Sequence, residues 1–276
     1  VLASHELFHA VQAGYPVEPG VVVSEGTAVW ASEAYDPSLR DFEGFVGGYL
    51  RSPERALDQE PRGPVDPFAY GAALWFRFLE ERHDRAIVRE LWERAPTAPD
   101  GSLEWLAATD ALLGARGSSF AEEFAAFAVW NLRTGPRADP ATSYAEGASY
   151  PPVAERDVDL PYVDDLVRQF PASTRYYVAP PGGREALALA LTAEDPTVYD
   201  DLALVLAFED DGALTVETAA PPRIEASVPA GTAWVHAALV GTAHEGGSRR
   251  VGLCLGAPDE VDGCLAELAP APADAG

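Results

Sequence analysis

Residues 1–30 read V-L-A-S-H-E-L-F-H-A-V-Q-A-G-Y-P-V-E-P-G-V-V-V-S-E-G-T-A-V-W. The run around His5-Glu6-Leu7-Phe8-His9 consists of good helix formers, and Gly14-Tyr15-Pro16 is a stop signal, so the spacing predicts a helix from about Leu2 to Ala13. Residues four apart share a helix face, so both imidazoles project from one side, one turn apart, able to grip one ion. Glu6 stands beside the first histidine. This is the H-E-x-x-H arrangement, in which two neutral imidazoles bind Zn²⁺ and the glutamate takes a proton from water. Val1, Leu2, Phe8 and Val11 are expected to turn toward a core while His5 and His9 face a cleft. A catalytic zinc site needs a third protein ligand, and Glu18, Glu25, Glu33 and Asp36 are the acidic residues that follow within reach.

Three patterns compete for that ligand. The metzincin pattern would require Gly at position 12 and His at position 15, where this chain has Gln12 and Tyr15, and the inverted order H-x-x-E-H is absent. His5-Glu6-Leu7-Phe8-His9 followed by Glu25-Gly26-Thr27-Ala28-Val29-Trp30-Ala31-Ser32-Glu33 resembles the gluzincin metallopeptidases. Within them it is similar to uncharacterised secreted metallopeptidases of myxobacteria and other GC-rich bacteria, which carry H-E-x-x-H-A-V-Q together with E-G-x-A-x-W. The resemblance implies Glu25 as the third ligand, on a second helix of about Glu25 to Tyr35 with Ser24 as its N-cap. It also implies Tyr70 as support for the oxyanion of a tetrahedral intermediate, although the two residues that usually separate such a tyrosine from its glycine are missing before Gly71. A carboxylate one turn after the glutamate ligand often steadies a histidine in this family; Val29 occupies that place here, and Glu33, two turns on, is the available substitute.

The chain has 276 residues, 47% of them apolar, and a formal net charge of −25. Such a charge disfavours nucleic acid and anionic membranes as partners. No apolar stretch of 18 residues occurs, so no membrane span is expected. All nineteen basic residues are arginine and methionine is absent, which reads as coding bias and as a chain begun after a truncation or maturation cut. Cys254 and Cys264 can close one short loop if oxidised, which would suit a secreted or cell-envelope location; the spacing leaves their bonding open.

Farther along, F-E-G-F-V-G-G-Y-L reads as a helix, residues 52–67 as a loop, and Tyr70 as the start of another helix. Helices are expected near 85–93, 103–113 and 120–132. Trp75, Trp92, Trp105 and Trp130 read as packing residues. From Arg175 onward, seven short β-type runs divided by turn signals fit a small β-sandwich without a catalytic constellation, in which His236 and His244 have no metal role.

The sequence thus predicts an α+β chain: a mainly helical, gluzincin-like catalytic region (1–136) lacking the family's upstream β-sheet, a connector (137–172), a β-sandwich (173–262) and an Ala/Pro-rich tail (263–276). The expected function is Zn²⁺-dependent hydrolysis of a peptide or protein substrate, with His5, His9 and Glu25 as metal ligands, Glu6 as general base and Tyr70 as a catalytic donor. The chain can be a fragment that lacks full competence. The rival is a non-catalytic secreted binding or adhesion protein with a zincin-like scaffold and a β-sandwich binding module. Glu6 argues against it, because a purely structural site needs no base. The spacing leaves the choice of endopeptidase or aminopeptidase and the oligomeric state undecided.

Overall fold

Helix-forming segments fill the first half of the chain and short apolar runs divided by turns the second, and the computed structural model is accordingly α+β. It describes residues 2–36, 38, 42–63, 65–94 and 104–268; Val1 and residues 269–276 lie outside these. The helices are α1 (Leu2–Gln12), α2 (Val21–Tyr35), α3 (Phe42–Leu50), α4 (Pro67–Gly71), α5 (Ala73–Arg82), α6 (Ala86–Arg94), α7 (Trp105–Gly114) and α8 (Phe120–Leu132). The strands are β1 (Arg156–Asp157), β2 (Tyr162–Gln169), β3 (Ser173–Ala179), β4 (Ala186–Thr192), β5 (Leu202–Asp210), β6 (Ala213–Ala219), β7 (Arg223–Ser227), β8 (Trp234–Gly241) and β9 (Arg249–Gly256), followed by α9 (Pro258–Glu267). Among the described residues no helix is long and apolar enough to cross a membrane.

The strands form two sheets, ordered β1-β3-β8-β5-β6 and β2-β9-β4-β7. Alternate residues of a strand face opposite sides, and the first sheet uses both of its faces. Tyr177, Leu204, Leu206, Phe208, Ala237 and Leu239 pack against Leu187, Leu189, Leu253 and Leu255 of the second sheet. Their neighbours Tyr176, Val205, Ala207, Ala238 and Val240 join the core of the helical half, which includes Trp75, Phe78, Phe124 and Phe127. The Tyr176 hydroxyl donates to the Ala128 carbonyl at 2.9 Å, tying β3 to α8. One face of the first sheet therefore belongs to the core of the helical half and the other to a separate core between the two sheets.

Several expectations are corrected. Helix α2 begins at Val21 behind Gly20, whose φ of 71° needs a glycine, so Ser24 lies inside the first turns and is not a cap. Tyr70 does not open a helix: α4 begins at Pro67, capped by the Asp66 side chain, and Tyr70 is its fourth residue. Residues 162–169, read as connector, form β2 on the second sheet; its exposed Asp165, Leu166 and Arg168 hide the strand pattern, with only Val167 and Gln169 buried. Residues 258–267, across the expected boundary between sandwich and tail, form α9, which Cys254 and Cys264 join to β9 by a disulfide. Finally, Val11 is half-exposed and Leu7 more so, because α1 packs on α2 through its polar face. Trp75, Trp92 and Trp105 are buried, and Trp130 packs against the same core while remaining partly exposed.

The loop before α4 is held by a buried ion pair. Both guanidinium nitrogens of Arg55 reach Asp66, at 3.1 and 2.7 Å, and Asp66 also accepts from the Phe68 and Arg62 amides. The Arg55 hydrogen bonds hold the Asp66 carboxyl well below the usual carboxylate range. Its stabilising contribution is therefore complete above the unfolded-state value near pH 4 and is lost only as pH falls through the depressed folded value. Asp66→Asn should cost about 3 kcal/mol by leaving Arg55 buried without a countercharge. Urea denaturation at neutral pH checks this, and a loss under about 1 kcal/mol would contradict it.

Candidate metal centre

The first pair of candidate ligands follows from α1 itself. His5 and His9 lie one turn apart, with ring centroids 4.7 Å apart and Nε2 atoms separated by 3.1 Å. Glu25 arrives from α2, which crosses α1 at close range. The next residue, Gly26, lets α2 lie close on α5, since a Cβ there would stand 2.9 Å from the Phe76 ring and 3.3 Å from the Ala73 amide nitrogen. The Glu25 Oε2 atom lies 3.1 Å from His5 Nε2 and 3.6 Å from His9 Nε2. Among the described residues these three form the group of His, Cys, Asp and Glu side chains able to hold a metal ion.

The geometry can be tested against an ion. Tetrahedral bonds of about 2.0–2.1 Å place ligand atoms about 3.3 Å apart. The three observed separations bracket that value. A point about 2.05 Å from all three lies roughly 0.8 Å off their plane, close to the offset of a tetrahedral ion. Two imidazole nitrogens and one carboxylate oxygen are also a donor set suited to Zn²⁺. The three side chains are 12, 27 and 21% exposed, leaving one side of the group open to solvent.

The other predicted site residues can be placed. Glu6 is exposed beside His5. Tyr70 stacks on His5 with centroids 6.1 Å apart, and Phe45 backs its ring at 5.8 Å. Burial pushes the Tyr70 hydroxyl pKa up, reinforced by the charge of Glu25, a hydrogen bond to it and the charge of Glu6. The structure thus gathers His5, His9, Glu25 and Tyr70, with the charge of exposed Glu6 reaching Tyr70. Adjacent Gly71 has a steric reason: a Cβ there would collide with the Tyr49 backbone nitrogen, and one at Gly48 with the Pro67 carbonyl, so α3 and α4 need both glycines to touch. The alternative ligands lie elsewhere. Glu18 lines a separate acidic depression with Asp58, Glu104 and His244, Asp36 is occupied by the Ser38 amide and hydroxyl, and Glu33 is buried where its charge reaches Tyr150.

Two features escaped the sequence. Gln12 bonds His9 Nδ1 through its Oε1 at 2.6 Å. Its position three residues after His9, on the same helix face, was the available signal. His236, on β8, is buried with Glu155 Oε1 2.6 Å from Nδ1 and Glu209 Oε2 2.9 Å from Nε2, and Arg137 bridges to Glu155 at 2.7 Å. These partners stand 81 and 27 residues away, so no local spacing could reveal them. No known family model matches the chain, and no curated protein matches it.

Proposed function

We propose that this chain is a zinc-dependent peptidase of gluzincin type, hydrolysing peptide bonds at the His5-His9-Glu25 centre. The observation that carries the reading is the convergence of the three candidate ligand atoms at near-tetrahedral separations, with Glu6 next to His5 on the same helix and outside the ligand set. Zn²⁺ held there would supply Lewis acidity, polarising a carbonyl and acidifying water. Glu6 accepts the proton of the attacking water and delivers it to the leaving amine nitrogen as the C–N bond breaks. Tyr70 keeps its proton, because burial and two neighbouring carboxylates raise its pKa, and so it can donate to the developing oxyanion. The Cys254–Cys264 disulfide supports an extracytoplasmic location.

The test is hydrolysis of unfolded casein and of a mixed peptide set. Cleavage should stop when 1,10-phenanthroline strips the protein and return when stoichiometric Zn²⁺ is added. Cleavage that persists in a verified metal-free preparation would overturn the proposal.

A further inference from the structure

Gln12 is almost fully buried between the two helices that bear the candidate ligands. Its amide nitrogen lies 2.9 Å from the Ser24 carbonyl oxygen and 2.9 Å from the Thr27 hydroxyl oxygen. A carbonyl can only accept, and the Thr27 hydroxyl proton is already directed at the Val23 carbonyl at 2.7 Å. Both contacts therefore require the Gln12 NH₂ group on the α2 side. The carbonyl oxygen is left facing α1, 2.6 Å from His9 Nδ1 and within 3.2 Å of the Ser24 hydroxyl, which donates to it.

An amide oxygen cannot donate, so the close contact with His9 requires the proton on Nδ1. In the neutral ring the lone pair then belongs to Nε2, the nitrogen that faces His5 and Glu25. We infer that Gln12 is a positioning residue of this site: it selects the His9 tautomer that presents Nε2 as a ligand and, through Ser24 and Thr27, holds α1 against the turn carrying Glu25. This deepens the zinc reading and rests on it for the metal-binding consequence alone. Ser24, whose hydroxyl lies 3.5 Å from His9 Nδ1, shares the task only weakly. The partner usually expected for a ligating imidazole is a carboxylate, backbone carbonyl or water. Here a side-chain amide fills the place, with its orientation set by the neighbouring helix.

The experiment is a long-range ¹H–¹⁵N imidazole correlation on metal-free protein at about pH 8, where an ordinary histidine is neutral, paired with Zn²⁺ titration. Wild-type His9 should carry its proton on Nδ1. In Gln12→Leu the proton should move toward Nε2, and zinc affinity should fall about 10- to 100-fold, the usual loss on removing such a partner. Gln12→Glu restores an acceptor to Nδ1 and should recover the tautomer and most of the affinity, despite losing the contacts to Ser24 and Thr27. That recovery separates positioning from simple packing. Wild-type His9 protonated on Nε2 would overturn the inference even if the leucine variant failed to fold. So would a folded Gln12→Leu with unchanged tautomer, or with shifted tautomer and undiminished zinc affinity. If no form binds Zn²⁺ but the tautomer responds as described, the zinc reading fails while the hold of Gln12 on His9 stands.

Discussion

Glu6→Gln should retain one Zn²⁺ per chain and lose hydrolysis by about 10²- to 10⁴-fold, the range a positioned general base contributes. The amide is nearly isosteric with the carboxylate but cannot take a proton from water. Glu6 is exposed and lies outside the group of convergent ligand atoms, so the substitution leaves His5, His9 and Glu25 in place. The measurement pairs initial rates on a fluorogenic peptide with metal content after gel filtration. Activity within a few-fold of the parent, at equal zinc content, would remove Glu6 from the mechanism. Loss of zinc together with activity would give Glu6 a structural role instead.

The second large effect concerns the third ligand. Glu25→Ala should weaken zinc binding more than about 100-fold, beyond the loss expected when only a supporting residue is removed. His9→Ala should do the same, since either change leaves two ligand atoms where three now meet. Glu18→Gln and Asp36→Asn should bind zinc like the parent, because Glu18 lines a different depression and Asp36 is engaged with Ser38. Competition titration with a chromogenic chelator measures all four. Parental affinity in Glu25→Ala, with a loss in one of the other two, would move the third ligand and break the likeness to gluzincins at its most specific residue.

These expectations draw unequally on sequence and fold. A single helix dictates that side chains four apart share a face, so the pairing of His5 with His9 was legible once residues 2–13 read as helical. The seven short runs from Arg175 onward were likewise legible as strands, because turn signals cut them to lengths that suit a strand and not a buried helix. The α+β class follows from those two local signals. Where charged residues interrupt such a run, as Asp164, Asp165 and Arg168 do in β2, the signal disappears, and only pairing with β9 makes the segment a strand.

The tertiary structure decided what depends on the approach of distant segments. Four acidic residues could have met the histidines, and the choice among them turns on how α2 packs on α1, where Gln12 reaches Ser24 and Thr27. Tyr70 reaches His5 because α3 and α4 touch through Gly48 and Gly71, a contact no spacing along the chain encodes. The carboxylates around His236, the pairing of Cys254 with Cys264 and the core that the first sheet shares with the helices belong to the same class. The sequence by itself offered the candidate side chains His5, His9, Glu25 and Tyr70 and most of the short segments that hold them. Packing determined which of those side chains meet, since a contact between distant residues depends on steric fit and burial summed over the whole core.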